Sequence, residues 1–125
     1  MSIEGLLYLV AALLAFGVGI AHSVLGERYI LIRLFRHGDL PKLFGGTEFT
    51  ARTLRFAWHL TTIAWWGAAA LFFAMAPPTS SLVSSILGVV FLITALVTFV
   101  VSRGRHLSWP VFAAISVIAF YGAHT

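Results

Sequence analysis

The fold is decided by the stretch LVSSILGVVFLITALVTFVVS at residues 82–102, which contains no charged side chain. A helix needs roughly 20 mostly apolar residues to cross a bilayer. Three more apolar segments lie at residues 5–25, 56–76 and 107–122. The last is short and carries Pro110 near its start, where the N–H that proline lacks would be unpaired anyway. We therefore expect an all-α integral membrane four-helix bundle, with residues 1–125 forming a single domain.

Composition supports a membrane location. The chain has 125 residues, of which 60% are hydrophobic and 10% charged, and its mean hydropathy is +0.98. A soluble domain has about 45–50% apolar and about 25% charged residues. Because this number of charges is too small to cover a water-exposed surface, most of the surface is expected to face lipid. The first apolar segment has no basic residue before it, so we interpret it as a retained helix and not as a signal peptide.

The basic residues predict the orientation. Six lie between the first and second predicted spans and two between the third and fourth: Arg28, Arg33, Arg36, Lys42, Arg52, Arg55, Arg103 and Arg105. In an up-and-down bundle these two loops share one side, which the positive-inside tendency makes cytoplasmic. Both ends of the chain then face outward (N-out/C-out). We expect a multi-pass protein of the inner membrane of a bacterium. Because no basic stretch lies outside these flanking segments, nucleic-acid binding is not expected.

The long loop between the first two spans has an amphipathic segment. Residues 27–36 can be helical, with Ile30, Leu31 and Leu34 on one side and arginines opposite. This pattern is typical of a basic amphipathic helix at the membrane surface, or of a cytoplasmic extension of the first helix. Thr47 is expected to cap a second helix that begins before the bilayer. The PPTSS stretch at residues 77–81 is expected to end that helix and cap the third.

Three histidines are expected at one membrane level. His22 is near the cytoplasmic end of the first span, His59 lies one turn beyond Arg55, and His106 opens the fourth span. On the second helix a set of side chains at spacings of three or four shares one face: Arg52, Arg55, His59, Thr62 and Trp66. Ser23 and Glu27 lie beside His22 and complete the polar group.

This group suits a cofactor. For haem b, His22 and His59 would be the axial ligands, and Arg52 and Arg55 would pair with the propionates. A transition metal ion would be held by His22, His59, His106 and Glu27. Either cofactor requires His22 and His59 to face each other between the first and second helices.

Other functions stay open at this level. Histidines near helix ends often bond a backbone carbonyl, and no HExxH or HxxxH motif is present. A structural or accessory membrane subunit without cofactor is one alternative, acting with the lipid bilayer in a homo-oligomer or a larger membrane complex. A small oligomeric transporter is the other, although no charged residue lies in the middle of a span. Whether the chain is an enzyme is undecided.

Two polar segments carry a resemblance. HSVLGE at residues 22–27 and RFAWHLTT at residues 55–62 resemble segments of a family of small, uncharacterised bacterial membrane proteins. The resemblance covers most of the chain. It implies four helices and an inner-membrane location, and it implies no activity.

Overall fold

The computed structural model describes residues 2–76 and 81–124, without the side chain of Val101. Within these residues the chain is helical, as predicted. The helices are α1 (Ile3–Gly26), α2 (Ile32–His37), α3 (Glu48–Ala74), α4 (Ser81–Ser102) and α5 (Ser108–His124). A π-helical segment, Glu27–Leu31, joins α1 to α2 without a break.

The first helix is much longer than its apolar part. Ser2 caps it by accepting a hydrogen bond from the amide of Gly5 at 3.1 Å. Together α1, the π-helical segment and α2 span 35 residues, or about 52 Å at 1.5 Å per residue. The hydrocarbon core of a bilayer is only about 30 Å thick. Of the two arrangements predicted for residues 27–36, the structure has the extension of the first helix, which ends at Gly38 with a φ of 73°.

The predicted caps of the later helices have mixed outcomes. Thr47 does precede the first residue of α3, but its side chain makes no capping hydrogen bond. The prolines and hydroxyls predicted to separate α3 from α4 fall at residues 77–80, outside the described part of the chain. Between α4 and α5 the chain makes a tight turn, with positive φ at Arg103 (52°) and Gly104 (75°). The Gly104 amide donates to the carbonyl of Phe99 at 2.8 Å and closes the end of α4.

The helices pack in the order α3, α1, α5, α4: α1 lies against α3 and α5, and α4 lies against α5. The buried core occupies the half of the bundle nearest the chain ends, where aromatic rings of three helices meet. Phe72 contacts Phe91 at 6.1 Å, and Phe91 contacts Phe112 at 6.0 Å between ring centroids. Tyr8 donates to Ser84 Oγ at 2.8 Å, and Ser84 in turn donates to a carbonyl of α5 at 2.6 Å. This half of the bundle is therefore closed.

The outward faces of the helices are apolar. Large hydrophobic side chains are exposed on every long helix, for example Leu13 (72%), Ile63 (61%) and Val117 (68%). Three helical stretches are long and apolar enough to cross a membrane, and α5 is a shorter apolar helix. Such a surface fits a multi-pass membrane protein.

Candidate functional site

Two polar features lie in the half of the bundle nearest the basic loops. One is a chain of hydrogen bonds between α1 and α3, formed by Glu27, His59, Ser23 and Thr62, which we call the seam network. The other is an open groove bounded mainly by α1, α4 and α5. The sequence predicted one site here, and the structure has two.

The seam network has a consistent hydrogen-bond direction. The Glu27 carboxylate can only accept, so His59 Nε2 donates to it at 3.2 Å. His59 Nδ1 then carries the lone pair and accepts from Ser23 Oγ at 2.8 Å. Ser23 in turn accepts from Thr62 Oγ1 at 2.8 Å, and the single proton of the Thr62 hydroxyl is shared with the carbonyl of Gly19 at 3.3 Å. The positions expected at the interface of the first two spans are thus brought together.

The arginines predicted to pair with haem propionates are engaged with the chain's own carboxylates. Arg55 binds Glu27 through both oxygens, with Nη2–Oε1 at 2.8 Å and Nε–Oε2 at 3.2 Å. Its guanidinium also lies 5.0 Å from the ring centroid of Phe35. Arg52 forms an exposed ion pair with Glu48 one turn earlier on α3. Arg55 therefore closes the aqueous end of the seam network, whereas Arg52 lies outside it.

The seam network contains a carboxylate, an imidazole and a hydroxyl in series, the groups of a hydrolytic triad. Nucleophilic catalysis also needs N–H donors placed around the developing oxyanion. Ser23 lies inside α1, where the backbone amides are bonded within the helix. The arrangement therefore joins two helices and leaves no backbone donor beside Ser23 to bind an oxyanion.

Two indole rings of α3 also pack against glycines of α1. A Cβ on Gly26 would lie 2.1 Å from Trp58 Nε1, and one on Gly19 would lie 2.7 Å from Trp66 Nε1. Trp58 Nε1 donates to the carbonyl of His22 at 3.1 Å. The spacing of the glycines was a usable signal, since positions seven apart share one helix face.

The groove has a volume of about 990 Å³, at the upper end of the range of roughly 300–1,000 Å³ for ligand pockets. Apolar side chains of α1, α4 and α5 form most of its walls, including Leu13, Val18, Val97 and Phe112. Most of its polar lining lies near the basic loops, at His22, Tyr29, Thr98, Ser102, His106 and Ser108, and Thr94 lies deeper on α4. The groove is therefore amphipathic along its length.

His22 presents a hydrogen-bond acceptor. Its Nε2 donates to the carbonyl of Trp58 at 3.2 Å and lies 3.0 Å from Thr61 Oγ1, so its Nδ1 carries the lone pair. The imidazole stacks on Trp58 at 4.6 Å between centroids. Every fully buried side-chain nitrogen or oxygen of the described residues has a hydrogen-bond partner. Since Nδ1 has none in the described part of the chain, it is accessible.

His106 presents a donor. The amide of Ser108 donates to His106 Nδ1 at 3.3 Å, and Ser108 Oγ is 2.7 Å from the same atom. An amide can only donate, so Nδ1 accepts and the ring proton lies on Nε2. Two residues that line the groove thus carry one imidazole acceptor, His22 Nδ1, and one imidazole donor, His106 Nε2, without a partner among the described residues.

The predicted metal ligands are divided between the two features. Glu27 and His59 lie in the seam network, whereas His22 and His106 line the groove, which His59 does not. Among residues 2–76 and 81–124, no group of three or more His, Asp or Glu side chains is arranged to hold a metal ion. His22 and His59 both bond across α1 and α3, but to different partners. Cofactor binding itself stays a prediction.

Comparison of the chain with known protein families, with curated proteins and with solved structures finds no match.

Proposed function

We propose that this chain is a multi-pass membrane protein that binds a membrane-soluble amphiphile in the groove, with the polar part of the ligand beside His22 and His106. The observation that carries the proposal is that both imidazoles line one large and mostly apolar groove.

Four membrane spans, α1, α3, α4 and α5, are part of this proposal. All eight basic residues lie in the extension of α1, near the start of α3 or in the turn between α4 and α5, and both chain ends lie at the other end of the bundle. The positive-inside tendency then makes the basic side cytoplasmic. We propose the inner membrane of a bacterium as the location, with both ends of the chain outside.

The groove suits an amphiphile in shape and in chemistry. Its apolar walls would cover an aliphatic or ring system, and most of its polar lining lies at one end, with Thr94 deeper on α4. The His22 acceptor and the His106 donor are complementary to a ligand group that both donates and accepts, such as a hydroxyl. Few, well-placed polar groups in an apolar pocket are typical of small-molecule sites.

Haem b is a less favoured ligand. In the groove it would have to use His22 and His106 in place of the predicted pair, His22 and His59. His106 would then have to exchange its tautomer and give up the bond from the Ser108 amide. We therefore place an organic amphiphile ahead of haem and of a bare metal ion.

The test compares leucine substitutions at two glycines, one that lines the groove and one that does not. A Cβ on Gly17 or on Gly67 would meet nothing within 4 Å, but only Gly17 lines the groove. We expect protein purified in mild detergent to retain a ligand, identified by mass spectrometry and by its absorption spectrum. Gly17→Leu should lose this ligand because the new side chain fills the groove, whereas Gly67→Leu should keep it.

Each outcome is decisive. Wild-type protein with no bound ligand would overturn the proposal and favour an accessory subunit. A ligand retained by Gly17→Leu would place binding elsewhere. A Soret band lost in Gly17→Leu would identify the ligand as haem and reject the amphiphile.

A further inference from the structure

We infer that the ligand is an anionic phospholipid of the surrounding bilayer, with one acyl chain in the groove and its phosphate among four arginines at the groove mouth. This inference rests on the proposed function and names the class of its ligand. The arginines are Arg28, Arg33, Arg103 and Arg105.

Charge pairing separates these arginines from the others. Arg52 and Arg55 have carboxylate partners on the chain itself, Glu48 and Glu27. In the described part of the chain, the six remaining basic residues form no ion pair with a carboxylate: Arg28, Arg33, Arg36, Lys42, Arg103 and Arg105. Unpaired guanidiniums are good partners for phosphate because they bind its oxygens in a bidentate manner.

Four of the unpaired bases contact or directly adjoin residues that line the groove. On one wall Tyr29 lines the groove, and the guanidinium carbons of Arg28 and Arg33 lie 5.6 and 5.8 Å from its ring centroid. On the facing wall Ser102 and His106 line the groove. Arg103 and Arg105 are their direct chain neighbours.

The accessibility of these bases matches the proposal. All four arginines are exposed, so a headgroup phosphate can reach them without breaking a protein ion pair. The basic residues and most of the polar lining lie at the same end of the groove. A bound anion would therefore meet both the guanidiniums and the His106 donor.

The length of the groove fits one leaflet. Its lining runs from Leu13 on α1 to Ile30 in the π-helical segment and includes Gly26 near the mouth. Leu13 and Gly26 are separated by about 20 Å at 1.5 Å of rise per residue. Half of the hydrocarbon core is about 15 Å deep. An acyl chain from the basic-side leaflet would thus follow the apolar wall inward while its headgroup stays at the mouth.

The experiment uses full-length protein in nanodiscs that contain equal amounts of phosphatidylglycerol and phosphatidylcholine. The protein is then released from the nanodiscs, and the lipids that remain bound to it are counted by native mass spectrometry. We expect wild-type protein to retain phosphatidylglycerol with an enrichment of about fivefold or more, since each base near an anionic surface contributes appreciably. Changing Arg28, Arg33, Arg103 and Arg105 to Gln should reduce this preference to about onefold.

The matched control changes Arg36 and Lys42 to Gln, two unpaired bases that do not adjoin lining residues. This variant should keep the wild-type preference. Equal retention of both lipids by wild-type protein, or equal loss of preference in both variants, would overturn the inference and leave the proposed function standing. Absence of any bound amphiphile would overturn the proposed function itself. If the fourfold variant does not fold, the wild-type competition and the double variant decide.

Discussion

Ser23 on α1 and His59 on α3 are joined by a hydrogen bond of 2.8 Å between Oγ and Nδ1. This bond lies at the centre of the seam network, because Ser23 also contacts Thr62 and His59 also contacts Glu27. The bond holds the two helices at a fixed rotation, since both side chains must point into the interface. His22, the residue before Ser23, is thereby turned toward the groove.

Replacing Ser23 with Ala should destabilise the protein by about 1–2 kcal/mol, because His59 and Thr62 each lose a partner and an interhelical bond in a membrane contributes about 0.6–1.7 kcal/mol. The measurement is reversible unfolding in mixed micelles. Ser85→Ala is the control, since the Ser85 hydroxyl bonds a carbonyl of its own helix at 2.8 Å. Its effect should stay below about 0.5 kcal/mol. Equal losses in the two variants would contradict a special role for Ser23.

Gly26→Ala should lower the unfolding free energy by about 1–3 kcal/mol, the usual effect of overpacking a tight contact. The reason is that a Cβ at Gly26 would lie 2.1 Å from Trp58 Nε1. In a Trp58→Ala background the same change should cost less than about 0.5 kcal/mol, because the obstructing ring is gone. Gly17→Ala, where the Cβ meets nothing within 4 Å, should be neutral or slightly stabilising. If the Trp58 background does not relieve the cost, the contact is not its cause.

The topology can be read with reporters. A reporter fused after Thr125 should report the periplasm, and one inserted near Gly45 should report the cytoplasm, because all eight bases lie on the loop side. If both reporters indicate the same side of the membrane, the model of four spans is contradicted. If the reporter after Thr125 indicates the cytoplasm and the one near Gly45 the periplasm, the four spans are retained and the positive-inside assignment is rejected.

The extension of α1 is expected to contact the anionic inner leaflet, with each base contributing about 1 kcal/mol near the surface. In the structure Ile30 and Leu34 are exposed, whereas Leu31 is buried. Spin labels at Ile30 and Leu34 should therefore be accessible to a lipid-soluble relaxation agent, and a label at Arg36 to a water-soluble one. Accessibility to water alone at both apolar positions would reject membrane contact.

The helices were predictable because hydropathy alone determines where a span must lie. The expected span at residues 82–102 coincides with α4, Ser81–Ser102. The start of α3 at Glu48 was also predictable, from the turn that precedes Thr47. What hydropathy does not contain is the pairing of helices, so the order α3, α1, α5, α4 had to come from the structure.

The sequence predicted how deep the residues of the candidate site lie along the bundle, but not in which direction around the helix axis their side chains point. The positions of His22, His59 and His106 along their helices correctly indicated one end of the bundle. Depth does not determine which way a side chain points, and neighbouring helix positions differ by about 100°. Ser23 takes the contact with His59, so His22 faces the groove and shares it with His106. A hydrogen-bond partner on another helix decided this arrangement, and a single sequence does not reveal it.

The π-helical segment has a consequence for insertions and deletions in this chain. Its wider turn, closed by the amide of Ile32 bonding the carbonyl of Glu27, accommodates one residue more than an α-helical turn does. Deleting one residue there would restore an α-helical path, and α2 would keep its rotation around the helix axis, because the π-helical turn covers with one residue more nearly the same rotation as an α-helical turn. Phe35 would therefore stay beside Arg55. Deleting a residue elsewhere in α1 would instead turn α2 by about 100°, so the π-helical segment is the place where this long helix tolerates a change of one residue in length.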